Sequence, residues 1–197
     1  MSDLEQRVAG ILRDSPTMMQ VMRALRADGL ADWRIFAGAV YQTVWNRLSG
    51  REPDFGVRDY DVIYFDPDTS WEAEDVAIRR VAEALPAELR ERVEVRNQAR
   101  VHLWFEDKFQ RPYAPLISVD DALLRAVATV HGVSVRLDDD DEVRVSAPLG
   151  LTDLFEMRFR AGPGGQDRSV VDRKAAEACR RWPGVVYDTR DWTGDVV

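Results

Sequence analysis

The sequence predicts an α+β protein, and three features carry that expectation. Residues 59–65 (DYDVIYF) are rich in β-branched and aromatic side chains and give the strongest strand signal in the chain. Residues 3–13 and 71–85 place apolar positions at helical spacing. Residues 133–137 and 142–146 flank an acid-rich connection, as the arms of a hairpin would.

Read in order, Leu4, Val8, Ile11 and Leu12 stripe a first helix over 3–13. Ser15-Pro16 restarts the chain. A second helix over 17–28 carries Met18, Val21, Met22 and Leu25, and Gly29 stops it. Residues 33–37 (WRIFA) are short and β-capable. Gly38 follows, and Val40, Val44 and Leu48 then share one helical stripe closed by Gly50. This is strand, glycine turn, helix. A polar loop over 51–58 leads into the 59–65 strand, and the 71–85 helix is bounded by Asp68-Thr69-Ser70 and Pro86. Strand patterns resume at 93–95 and 101–105. Ser118 to Asp121 cap a helix running to about 130. Beyond the hairpin, 152–158 reads as a helix, 162–165 (GPGG) as a flexible loop and 170–181 as a last helix. With no repeat and no low-complexity linker, one domain is expected. It divides into N-terminal helices to about residue 30, a core over 31–117, and an extension over 118–197 holding the hairpin and helices.

Composition narrows the function classes. The chain has 197 residues and 45% hydrophobic content, enough for a buried core. No run approaches the roughly 20 apolar residues of a membrane span. The N-terminus puts acids where a secretory signal has bases, so a cytoplasmic location is expected. One Cys and two His argue against disulfides and against a thiolate or imidazole zinc site. A net charge of −8 suits a long nucleic-acid partner poorly. Cys179 reads as a small packing residue. The acidic run 138–142 lacks the spaced ligands of a calcium loop and reads as a solvated hairpin tip.

The chemistry concentrates at Asp59 and Asp61. Two residues apart on a strand, their carboxylates share a face at a spacing of roughly 6.6 Å. Two unpaired anions at the entrance of an apolar strand repel each other and resist desolvation; a hard divalent cation relieves both problems. Upstream, Gly38 opens a helix, whose free N–H groups and positive end make a phosphate cradle. Four further residues carry alternative readings. Arg100 and His102 could share a strand face and contact a nucleotide; alternatively His102 is a hydrogen-bonded, partly buried histidine. Asn97 could meet substrate or shape a turn, and Trp45 could pack in the core or support a base.

The segments Phe36-Ala37-Gly38-Ala39-Val40 and Arg58-Asp59-Tyr60-Asp61-Val62-Ile63 resemble the paired signature of the DNA polymerase β-like nucleotidyltransferases. That signature is a hydrophobic residue, glycine and a small residue, followed by an Asp-x-Asp strand. Residues 39–46, 95–102 and 147–154 extend the likeness to a bacterial branch of the superfamily over nearly the whole chain. The resemblance implies a mixed sheet flanked by helices, and transfer of a nucleotide from a nucleoside triphosphate to a hydroxyl with Mg²⁺ (or Mn²⁺). It implies Asp59 and Asp61 as metal ligands, Gly38 and Ala39 as the triphosphate cradle, and a third carboxylate from a later strand, for which Glu94 is the match. In place of the family's Gly or Ser stands Ala39, and the gap from Gly38 to Asp59 is longer than usual. Both departures suit a rival reading, a catalytically silent member of the same fold that binds nucleotide or a partner protein.

Overall fold

The computed structural model describes residues 1–190, 192 and 193. Helix α1 (Asp3–Arg13) begins with a capping box in which Ser2 and Glu5 satisfy each other's backbone groups. Helix α2 (Pro16–Asp28) has Pro at its start and ends at Gly29 in the left-handed region, φ 75°. Strand β1 (Arg34–Phe36), helix α3 (Gly38–Leu48), strand β2 (Tyr60–Tyr64) and helix α4 (Trp71–Ala84) follow. Strand β3 (Val93–Asn97), helices α5 (Val101–Phe109) and α6 (Val119–Leu124), and the hairpin β4 (Ser134–Leu137) with β5 (Val143–Ser146) come next. The chain closes with α7 (Thr152–Phe155), β6 (Arg158–Arg160), α8 (Arg168–Arg181) and β7 (Val186–Asp188).

Five strands form one mixed sheet in the order β3-β2-β1-β4-β5, in which only the β2–β3 pair is parallel. The hairpin expected in the C-terminal extension therefore adds to the same sheet, with β4 beside β1. Strand period sorts β2 into two faces. Tyr60, Val62 and Tyr64 point into the main core, which includes Leu12, Met18, Met22 and Val44. Ile63 points the other way, onto Val119 and Leu123 of α6. Asp61 shares that second face. The other sheet, β6 with β7, is parallel and was not legible from pattern.

Three expectations are corrected. Residues 101–105 are helical. Val101, Phe105 and Phe109 recur at four-residue intervals, and Asn97 turns the chain as soon as β3 ends. The helix expected from 118 to about 130 stops at Leu124, and a separate 3-10 turn covers Thr129–His131. The GPGG segment is a close backbone junction rather than a flexible loop. The amides of Gly162 and Gly164 donate to the carbonyls of Val127 and Ala126 at 2.9 and 3.0 Å. A Cβ on Gly164 would lie 2.0 Å from the Arg125 carbonyl oxygen, so only glycine fits there.

Candidate functional site

Asp59 and Asp61 line one cleft of about 280 Å³ with Gly38, and α8 forms its opposite wall. Strand alternation puts Asp61 on the side of the sheet away from the main core, and Asp59 stands one residue before β2 begins. Neither acid forms an ion pair among the described residues. Burial, followed by the neighbouring Asp59 and Glu94, pushes the Asp61 carboxyl up to about 6, against the opposing pull of Lys174 and Arg96. Excess negative potential is thus concentrated on one half-buried carboxylate.

The cradle sits alongside. Helix α3 has no side-chain cap, and its N-cap residue, Ala37, holds φ 51° and ψ −112°. A non-glycine residue at positive φ costs about 1–3 kcal/mol and is held by its surroundings. Here the Ala37 amide donates to Val133 O at 3.1 Å and its carbonyl accepts from the Tyr41 amide at 3.0 Å. The unusual conformation falls one residue before the glycine that the sequence singles out. A Cβ built on Gly38 would stand 3.5 Å from Gln42 Nε2 and 4.0 Å from Asp61 Oδ2, ordinary contact distances that place the helix start directly beside the acid. Ala39, expected in the cradle, turns its side chain into the core at 1% exposure. Only its backbone faces the helix end.

The long loop before β2 is tied down. Asn46, fully buried, donates to Pro53 O at 2.8 Å and Phe55 O at 2.9 Å and accepts from Trp182 Nε1 at 2.8 Å. The Asp54 carboxylate accepts from the hydroxyls of Ser15 and Thr17 at 2.6 and 2.5 Å. These bonds hold Arg58 and Asp59 at the cleft mouth.

Several residues that sequence reasoning missed share this cleft. Lys174 and Arg181, two turns apart on α8, present cations to it, as does Arg58. Arg181 also donates to Gln42 Oε1 at 2.6 Å, joining α8 to α3. His131 forms part of the floor, packed against Tyr41 and Phe159 with ring centroids 5.3 and 5.5 Å apart. Burial pushes its imidazole down to about 3, and Lys174 adds to the effect. The unfolded chain therefore takes up a proton below about 6.5 that folded His131 refuses, and this contribution to stability is lost as pH falls from about 6.5 toward 3. His131→Gln is expected to flatten that acid-side decline. Urea unfolding at pH 4, 5 and 6 measures it, and an unchanged slope would show that His131 does not set it.

The structure does not gather all the expected residues. Glu94 does face Asp61 directly across the parallel ladder, so it lies on the same side of the sheet. Its exposed carboxylate, however, pairs with Arg96 at 3.5 Å. Among the described residues no group of three His, Cys, Asp or Glu is placed to hold a metal ion, so Glu94 reaches the pair through its field alone. Arg100 is committed elsewhere, its Nε 2.9 Å from Glu74, and the pair is largely buried. His102 lies in α5 rather than on a strand. Neither Arg100 nor His102 lines the cleft. Asn97 shapes a turn, its Oδ1 accepting from the amides of Asp66 and Ala99. Trp45 is a core residue whose Nε1 donates to Leu154 O at 2.8 Å. The acidic tip is not merely solvated, since Asp138 bridges Arg136 and Arg144 at 2.8 and 2.7 Å.

A mixed sheet carrying paired acids beside an open, glycine-started helix is the arrangement of a nucleotidyltransferase. A family model described as nucleotidyltransferase matches residues 23–186, and the chain belongs to that family. The fold is similar to a solved structure whose title reads "The NMR structure of the protein reveals a CCA-adding enzyme head domain". The two share 26% identity and a TM-score of 0.75 over 94% of this chain and 96% of that one. No curated protein matches the chain. No helix among the described residues is long and apolar enough to cross a membrane.

Proposed function

We propose that the protein transfers a nucleotide from a nucleoside triphosphate to a hydroxyl on a small molecule or protein, in the cytoplasm, with Mg²⁺ or Mn²⁺. The observation that carries this reading is the meeting, in one cleft, of two acids that form no ion pair among the described residues and an uncapped helix start. The donor set fits the metal. Both candidate ligands, Asp59 and Asp61, are hard carboxylates, and the raised Asp61 pKa reflects a site that disfavours a bare negative charge. When bound, the ion would neutralise phosphate oxygens and favour attack by a hydroxyl.

The remaining roles fall to the chain itself. The first turn of α3 offers N–H groups to the triphosphate, and Gly38 lets it approach the backbone. Lys174, Arg58 and Arg181 supply cations for the β- and γ-phosphates. In the transfer, the acceptor oxygen bonds to the α-phosphorus as the bond from phosphorus to the pyrophosphate oxygen breaks. Pyrophosphate leaves, and the acceptor's proton passes to solvent.

Titration calorimetry with ATP, CTP, GTP and UTP tests the first step. Binding to at least one is expected with Mg²⁺, weakened about tenfold or more in EDTA. A folded protein that binds none of them would count decisively against the reading. The engagement of Glu94 with Arg96 favours one second reading, nucleotide binding without transfer. Metal-dependent binding with no pyrophosphate release would support that alternative.

A further inference from the structure

A second cleft, larger than the first at about 660 Å³, opens between α5, the segment after it, and α8. Its composition runs against that of the chain. Acids outnumber Lys and Arg by 35 to 27 in the whole protein, yet this cleft is lined by Arg111, Arg125, Arg173 and Lys174 against the single acid Asp167. Its apolar side is aromatic. Phe105 lies 4.6 Å from Phe109 and 4.3 Å from Tyr113 between ring centroids. Phe109 is 45% exposed, so the cluster is not a sealed satellite core.

The cations differ in how they are held. Arg125 is fixed, donating to Asp121 Oδ2 at 2.8 Å and to Ala114 O at 2.6 Å, with its guanidinium 5.2 Å from the Tyr113 ring centroid. Arg173 and Lys174 form no ion pair among the described residues and remain available to an anion. The far wall is the tight glycine junction at 162–165, so this side of the cleft is shaped before any ligand arrives. Lys174 lines both clefts, which makes them neighbours along α8.

We propose that this second cleft binds the acceptor, and that the acceptor presents a flat aromatic ring bearing a phosphate, the chemistry of a nucleotide unit. Aromatic side chains take the ring by stacking, and guanidinium and ammonium groups take the phosphate. A volume of this size holds a ligand of nucleotide dimensions. The shared Lys174 puts the bound acceptor next to the cleft of Asp59 and Asp61. The assignment of this ligand as acceptor rests on the transfer reading above; the binding site itself does not.

The same chemistry is available from a free mononucleotide or from the end of a single strand, so the probes are AMP and a single-stranded tetra-adenylate. Binding is measured in EDTA, where the proposed triphosphate site lacks its metal, by calorimetry and by amide chemical-shift mapping. Shifts are expected at Phe105, Phe109, Tyr113 and Gly164. Phe109→Ala and Arg173→Ala, both at exposed positions, are expected to weaken binding about tenfold or more. Asp61→Asn is expected to leave it unchanged. Binding of AMP identifies a free mononucleotide as sufficient, whereas binding of tetra-adenylate alone identifies a strand end; either supports the site. Shifts confined to Gly38, Asp59 and Asp61, equal binding by both cleft variants, or no binding by either probe would overturn it. Loss of Mg²⁺-dependent triphosphate binding with AMP shifts intact would instead sink the transfer reading and leave the site standing.

Discussion

Asp61→Asn is expected to make the metal-free protein more stable while cutting nucleotide transfer about a thousandfold, the scale of losing one electrostatic contributor to a transition state. The stability half follows from linkage. Folded Asp61 holds its proton up to about 6, whereas the unfolded side chain releases it near 3.8. Between those values the folded state binds more protons, so this residue makes stability fall as pH rises from about 3.8 to 6, with the full penalty present above that window. At the energy equivalent of a pKa difference, the upper limit is about 3 kcal/mol. Water at the open cleft lowers the expectation to about 1–2 kcal/mol. For a protein of this size that corresponds to about 3–6 °C in Tm. Added Mg²⁺ is expected to narrow the gap by stabilising the unsubstituted protein alone. Thermal melts in EDTA and in Mg²⁺, with pyrophosphate release as the activity readout, provide the check. An Asp61→Asn protein that melts lower in EDTA, or that turns over at the original rate, would refute the account of this carboxylate. The slope is opposite in sign to that of His131, so the two contributions work against each other over about 3.8–6.

Asn46→Ala is expected to produce the largest loss of stability, about 3–4 kcal/mol. The substitution leaves the buried Trp182 indole N–H and the carbonyls of Pro53 and Phe55 without their partner, and each unsatisfied buried group costs about 1–3 kcal/mol. Trp182 is 1% exposed, so water offers its indole little compensation. The same bonds hold the loop that delivers Arg58 and Asp59. Triphosphate binding with Mg²⁺ should therefore weaken at temperatures where the variant is still folded. Urea unfolding and calorimetry test the two halves separately. A cost below about 1 kcal/mol would mean that the loop is held by its other ties, at Asp54 and Arg51.

Local signals were enough for much of this protein. Periodicity and breakers located α1, α2, the β1–α3 turn, β2 and the β4–β5 hairpin, because each is encoded within a dozen residues by spacing, caps and glycine. Strand alternation singled out Asp59 and Asp61 from sequence; the structure lines one cleft with both, though only Asp61 lies within β2. Where local preference was ambiguous, long-range context decided. The β-prone letters of 101–105 fold as helix because Asn97 turns the chain before another strand can pair. The register placing Glu94 opposite Asp61 is a property of two strands more than thirty residues apart, and the pairing of its side chain with Arg96 emerges only with coordinates.

The chain by itself pointed to two neighbouring acids at a buried strand after a glycine-opened helix, and hence to the family, though Asp59 stands just before that strand. Tertiary structure alone decided which cations and which histidine face those acids. Lys174, Arg181 and His131 lie more than sixty residues downstream on elements with no local motif. Only packing of α8 and the 3-10 turn against α3 brings them to the cleft.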